Sequence, residues 1–270
     1  MRWKKSEYSG WGRALTANGD LARPERLSAL KALTKDATPP AIGQRRSYGD
    51  AALNDGGRAV DMTRLDRILG FDADTGIVEV QAGVQIGDLG LTFAPRGWIA
   101  PVMPGTGFAT VGGCIANDVH GKNHHHVGSF GQHVTQLSLI QNGKTKTVTP
   151  DKTPDLFKAT IGGLGQTGII ASAKIQLMPC KGDMMVLTER RVDGWDEFLT
   201  LLDGATSDFT VGWLDATAKG AALGRGILEE GEITSGISPT NGKSKEVPFN
   251  VPHWALSRPI VRLFNELYFR

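Results

Sequence analysis

PVMPGTGFATVGGCIANDVHGKNHHHVGSFG, residues 101–131, crowds glycine, small hydroxyls and histidine together around a single acidic residue, Asp118. Gly105, Gly107, Gly112, Gly113 and Gly121 let the main chain approach a ligand with no β-carbon in the way. Successive exposed N–H groups follow from such a run, and they bind anions. A helix that begins near Val111 adds its positive end to the same spot. The hydroxyls of Thr106 and Thr110 supplement the amides, and Ser129 lies further along. A diphosphate suits this chemistry, so the stretch reads as a cofactor cradle.

Working upstream, Trp98 to Val102 reads as a short strand that delivers the chain to the cradle, and Val84 to Phe93 as a helix with Ile86, Leu89 and Phe93 inward. Ala59–Met62 and Ile77–Gln81 read as strands, with a turn over residues 72–76 before the second. Leu27, Leu30 and Leu33 keep helical spacing up to the Pro39-Pro40 pair. Between that helix and the first strand, Ala41-Ile42 leads into GQRRSYGDAAL at 43–53, a second Gly/Ser-rich loop suited to an anion.

Downstream, residues 134–140 alternate with period two and turn at Asn142-Gly143 into Thr145–Val148, a strong hairpin signal. Asp155–Thr160 reads as a brief helix. Gly163, Gly165 and Gly168 then spell G-x-G-x-x-G. The dinucleotide fingerprint needs a strand before it and a helix after it, whereas here a helix precedes and residues 169–177 alternate as a strand. Helices and strands mix irregularly, which points to an α+β fold. Beyond Pro179 the texture changes: a helix over Trp195–Leu202, strands over Phe209–Leu214 and Leu223–Leu228, then a stretch rich in Ser, Pro, Gly and Asn over 232–253.

A chain of 270 residues that is 40% apolar holds one large domain or two modest ones. A net charge of +2, from 30 basic and 28 acidic residues, gives no basic stripe and no case for nucleic acid as a partner. Thirty-five glycines point to tight turns and ligand loops rather than a helical bundle. Cys114 and Cys180 make neither a metal site nor a disulfide framework. No signal peptide is apparent and no run reaches the roughly 18 apolar residues of a spanning helix. A soluble, cytoplasmic protein is expected, with peripheral contact at a membrane left open.

Five of the six histidines fall between 120 and 133. A metal site is the first rival reading, but His120 and His124 lack the intervening glutamate of H-E-x-x-H, and no Asp or Glu occurs over 119–150. No metal is expected.

TVGGCIANDVHGKNHH at 110–125, GSFGQHV at 128–134, GQRRSYGDAAL at 43–53, GGLGQTGII at 162–170 and, less tightly, FNELYFR at 264–270 resemble the decaprenylphosphoryl-ribose 2-oxidases, a branch of the vanillyl-alcohol-oxidase-type FAD enzymes. The resemblance implies a PCMH-type FAD-binding domain over residues 1–178 and the start of an α+β substrate-covering cap domain over 179–270, in a chain that is truncated. It implies FAD as cofactor. Gly43, Gln44, Arg45, Arg46, Ser47, Tyr48, Gly49 and Asp50 match the loop that wraps its diphosphate. Gly105, Thr110, Val111, Gly112 and Gly113 match the second cradle; Asn117, Asp118, Val119 and His120 continue it, and Ile170 matches a contact from the other side. Several relatives tether the flavin through a histidine where Arg46 stands, so non-covalent FAD is expected.

Alcohol oxidation needs a hydride acceptor and removal of the hydroxyl proton. By resemblance, His120 lies beside the isoalloxazine ring, and Lys122 orients or polarises the substrate; a lysine acting as base would need burial to lower its pKa. The implied reaction takes the 2-hydroxyl of a polyprenylphosphoryl pentose to a ketone, the first half of an epimerisation for cell-wall arabinan, with a partner epimerase or reductase at the membrane surface. A sugar-alcohol or aldonolactone oxidase is the main alternative, and a non-catalytic flavin-binding fragment the second.

Overall fold

Asn142 and Gly143 take φ of 45° and 72°, the paired positive angles that a tight hairpin turn requires and that Asn-Gly supplies at least cost. The hairpin they close pairs β8 (Val134–Gln141) with β9 (Lys144–Val148). In the computed structural model, which describes residues 2–237 and 251–270, this hairpin forms one side of a five-stranded antiparallel sheet. The chain divides into two compact units, Met1–Lys181 and Gly182–Arg270.

In the first unit, β1 (Lys4–Ser9), β2 (Thr16–Ala22), β3 (Ala41–Ile42) and β4 (Arg58–Asp61) form a sheet in the order β1-β2-β4-β3. β1 and β2 are antiparallel, whereas β4 runs parallel to both of its neighbours. Helix α1 (Leu27–Leu33) supplies the connection and buries Leu30. The second sheet has the order β5-β6-β10-β8-β9, with β5 (Ile68–Asp72), β6 (Ile77–Gln81) and β10 (Ile169–Gln176). Alternating residues of β10, among them Ile169, Ala171, Ala173 and Ile175, enter the core. Helices α2 (Ile86–Phe93) and α3 (Val111–Ala116) bury Ile86, Leu89 and Phe93, and Val111, Cys114 and Ile115, in the same core, whereas the single turn α4 (His124–Val127) buries none of its residues.

Several element ends differ from the sequence expectation, each for a tertiary reason. α2 begins at Ile86 rather than Val84, because the Val84 carbonyl accepts the N–H of Val111 and Gln85 bridges Thr110. The strand expected over 98–102 is confined to β7 (Trp98–Ile99), the two residues that pair with β11 (Met178–Pro179). The Gly-rich run after α5 (Pro154–Thr160) is no phosphate loop. The N–H groups of Gly162 and Leu164 cap the carbonyls of Ile115 and Ala116 at the end of α3, at 2.9 and 2.8 Å.

In the second unit, β12 (Met184–Val192), β13 (Phe209–Leu214) and β14 (Gly226–Thr234) form an antiparallel sheet in the order β12-β14-β13, with α6 (Trp195–Asp203) between the first two strands in sequence. The strand expected from Leu223 starts at Gly226, after Gly224 turns at φ 86°. β12 is exposed along nearly its whole length and carries no alternation, so it gave no strand signal. Asp215 anchors a buried polar cluster: it accepts from the Thr217 N–H and hydroxyl, from Arg225 Nε and Nη2, and from Asn265 Nδ2 on α7 (Arg258–Phe269). Residues 232–234 of the Ser/Pro/Gly/Asn-rich stretch belong to β14, and residues 238–250 lie outside the described residues.

Candidate functional site

Two loops distant in sequence meet at the start of α3. Thr110 is its N-cap, extended at φ −84° and ψ 150°, and its hydroxyl accepts the N–H of Gly113 at 3.2 Å. The N–H of Val111 donates to Val84 O and that of Gly112 to Ala82 O, both at 2.8 Å. The first amides of α3 are therefore engaged within the protein, which corrects the expectation that the helix start itself offers them to an anion. The close approach at Gly112 is to the sheet, since a β-carbon there would stand 2.8 Å from that of Ala82. Gly113 differs: a β-carbon there would meet only Thr110 Oγ1, at 3.1 Å.

The loop after β3 is pressed onto that N-cap. A β-carbon on Gly43 would stand 2.3 Å from Thr110 Oγ1. Arg45 takes φ 52°, and the Arg46 guanidinium lies 4.9 Å from the centre of the Phe108 ring. Among the described residues, the N–H groups of Gln44, Arg45, Arg46, Ser47, Tyr48 and Gly49 donate to no protein acceptor. Gly49 and Gly105 face open space, with nothing within 4 Å of the point a β-carbon would occupy. Asp50 is exposed, and its carbonyl accepts the N–H of Leu53. The unengaged amides of the site thus include those of residues 44–49, whereas those at the start of α3 are taken.

Sequence reasoning missed the buttress behind this loop. The tip of the β1–β2 hairpin donates Trp11 N–H to Ser47 O at 2.9 Å, and the Trp11 and Tyr48 rings meet edge to face at 5.1 Å. A β-carbon on Gly10 would stand 2.7 Å from Ser47 O. The Gly-Trp-Gly triplet at 10–12 was the available signal: two glycines where a neighbouring backbone passes close.

On the far side of α3, Asn117 closes the helix, its Nδ2 donating to Gly113 O at 2.8 Å. Asp118 turns the chain at φ 42°. Both of its carboxylate oxygens are engaged, by Gly131 N–H at 2.8 Å and by the Ser129 hydroxyl at 2.9 Å. Val119 O accepts Phe130 N–H, Phe130 is fully buried, and His120 bridges Ser129. Residues 119–130 thus form a segment tied at its base and containing the single helical turn α4, with His120, Lys122, His124, His125 and His126 exposed. The His120 and His124 rings are 5.6 Å apart. Among the described residues no three His, Cys, Asp or Glu side chains are grouped to hold a metal ion, and Lys122 forms no ion pair. Ile170, in β10, lies in the core and pairs with Leu139 of β8. Burial pushes the Cys114 thiol up to about 12, so it is not a nucleophile at neutral pH.

The sequence that builds this region matches a known domain. Residues 25–149 match the family model described as FAD binding domain. The chain is 39% identical over 235 residues to decaprenylphosphoryl-β-D-ribose oxidase of Mycolicibacterium smegmatis, covering 83% of this chain and 51% of that protein. It is 29% identical to D-lactate dehydrogenase of Anaerostipes hadrus, over 62% of this chain and 39% of the relative. It is 26% identical to D-arabinono-1,4-lactone oxidase of Yarrowia lipolytica, over 65% and 35%. The chain spans about half the length of the first of these and less of the others. No helix among the described residues is long and apolar enough to cross a membrane. Residues 25–149 thus match the FAD binding domain, in a chain similar over most of its length to decaprenylphosphoryl-β-D-ribose oxidase.

Proposed function

We propose that the first unit holds FAD non-covalently and oxidises a sugar hydroxyl, with the second unit as a substrate-covering domain. The observation that carries the cofactor part is the run of unengaged amides over 44–49, which carries the Arg45 and Arg46 side chains and follows Gly43, packed against Thr110. Unpaired backbone N–H groups beside guanidinium charge suit a diphosphate. Gly113 and Gly105 leave room for it, where a β-carbon would intrude. The loop over 43–50 carries no histidine or cysteine to form a covalent link.

FAD, when bound, supplies the acceptor for the electron pair of the C–H bond that is oxidised. The protein's part is to place that bond and manage the hydroxyl proton. His120, exposed beside Ser129 at the base of the loop, is assigned to the flavin ring, where a donor or positive charge favours reduction. Lys122, exposed and with no acidic partner among the described residues, is assigned to orient and polarise the hydroxyl. Similarity to the M. smegmatis oxidase makes the 2-hydroxyl of decaprenylphosphoryl-β-D-ribose the leading substrate, with a partner that completes the epimerisation and a lipid surface that presents the substrate. An aldonolactone is the second reading, favoured by similarity to the Y. lipolytica enzyme.

The test is an absorption spectrum of the purified protein with FAD, before and after acid precipitation, followed by anaerobic reduction with candidate sugars. Flavin bands that leave with the supernatant and bleach with polyprenylphosphoryl ribose are expected. Bands retained in the pellet would refute non-covalent binding. Bleaching with gulonolactone or xylitol alone would move the assignment to the second reading, and bound flavin that no sugar reduces would leave a binding domain without turnover.

A further inference from the structure

Asn123 is 3% exposed yet lies between two exposed residues, Lys122 and His124. Its Nδ2 donates to Pro101 O at 2.8 Å, and its own carbonyl accepts the N–H groups of His126 and Val127 at 3.0 and 3.1 Å. Among the described residues, Asn123 Oδ1 is the one buried side-chain nitrogen or oxygen with no hydrogen-bond partner. On the other side of Lys122, a β-carbon at Gly121 would stand 2.7 Å from Met103 O and 2.8 Å from Asn123 Oδ1. The backbone of Gly121 therefore lies flat on the segment that leaves β7. Lys122 is held from both sides by residues 101–103, which are themselves anchored through the β7–β11 pair.

A buried amide satisfied at one end is a poor choice for stability, because its free oxygen has left water without regaining a partner. Sites where a local rule is broken in an otherwise consistent fold are where function is sought. Asn123 satisfies its nitrogen and leaves its oxygen unpaired, and what the arrangement secures is the path of the backbone on either side of Lys122.

We propose that Asn123 is the positioning residue of Lys122, hooking the loop to Pro101 so that the ammonium group reaches one place over the site. This rests on the reading of Lys122 as the residue that orients the substrate hydroxyl. A long flexible side chain has a defined reach when its Cα is fixed, and a displacement of about 1 Å costs on the order of a hundredfold in rate.

The experiment compares Asn123→Ala, which removes the hook, Asn123→Asp, which keeps its shape but sets an acceptor against the Pro101 carbonyl, and Asn123→Ser, which keeps a donor. The first readout needs no turnover: acylation of Lys122 by a succinimidyl ester, mapped by mass spectrometry against Lys144 and Lys146 in the same sample. A change of about threefold or more at Lys122 is expected in the Ala and Asp variants, with both reference lysines unchanged. The second is flavin reduction per bound FAD, where kcat falls by about ten- to hundredfold with KM little altered, and Ser recovers part of the loss. Lys122 labelling that stays at the wild-type rate in both Ala and Asp variants overturns the proposal, whatever happens to the melting temperature. If wild-type protein reduces its flavin with no sugar, the functional reading fails, and the labelling comparison still decides the role of Asn123.

Discussion

Gly43 and Thr110 are packed so closely that a β-carbon on the glycine would stand 2.3 Å from the threonine hydroxyl oxygen. This contact joins the loop of unengaged amides to the N-cap of α3, and it is the point at which the two halves of the site are held in register. Thr110 cannot yield freely, since the same hydroxyl accepts the Gly113 N–H.

Gly43→Ala is therefore expected to push the 44–49 loop off α3 and weaken FAD binding by about tenfold or more. Gly70→Ala is the control, because it lies in β5, outside both loops, and its added β-carbon meets nothing within 4 Å; it should leave affinity within about twofold. Flavin fluorescence titration of both variants distinguishes the Gly43 contact from a general effect of adding a methyl group.

Adjacent glycines on α3 should fail differently. Gly112→Ala drives a methyl group into Ala82 and should cost about 1–3 kcal/mol of stability, read from denaturant unfolding. Gly113→Val adds bulk where the protein offers only Thr110 Oγ1. It should lower the flavin content of the purified protein while far-ultraviolet circular dichroism stays native. A Gly113→Val protein that remains fully yellow would sink the cradle assignment.

Asp118→Ala removes the acceptor for both the Gly131 N–H and the Ser129 hydroxyl. An unpaired donor in a part-buried site costs about 1–3 kcal/mol. The effect should be local, with faster hydrogen exchange over residues 119–131 and unchanged exchange in β8 and β10.

His120→Ala is expected to slow flavin reduction by substrate by about ten- to a thousandfold without loss of bound FAD. Stopped-flow bleaching under anaerobic conditions measures this. Unaltered reduction would remove His120 from the reaction.

Acid should act on the second unit through Asp215. Burial alone would raise this carboxyl, but hydrogen bonds from Thr217, Arg225 and Asn265 outweigh it and hold the group well below the usual carboxylate range. A depressed folded-state pKa contributes stability that is present above the unfolded value and lost as pH falls. Loss is thus expected to begin below about pH 4. Near-ultraviolet circular dichroism, sensitive to the Trp213–Tyr268 pair at 4.9 Å, should report it. Asp215→Asn should remove this acid dependence and cost on the order of 3 kcal/mol at neutral pH.

What could be read directly from the residues was local in its physics. Asn142-Gly143 specifies its own turn, and Leu27, Leu30 and Leu33 their own helix, because each depends on neighbours a few positions away. The two anion-suited loops were visible for the same reason: glycine and small hydroxyls have that chemistry wherever the chain carries them. Which amides remain unengaged was a different matter. Those of Val111 and Gly112 are taken by the carbonyls of Val84 and Ala82, and those of Gly162 and Leu164 by the end of α3. The support of Ser47 by Trp11, the double engagement of Asp118 and the hook from Asn123 to Pro101 likewise join positions far apart in sequence. A backbone donor or acceptor must find some partner, but its own residue does not name which one. That choice belongs to the packed tertiary structure, and here it engaged the amides at the start of α3 while leaving those of residues 44–49 open.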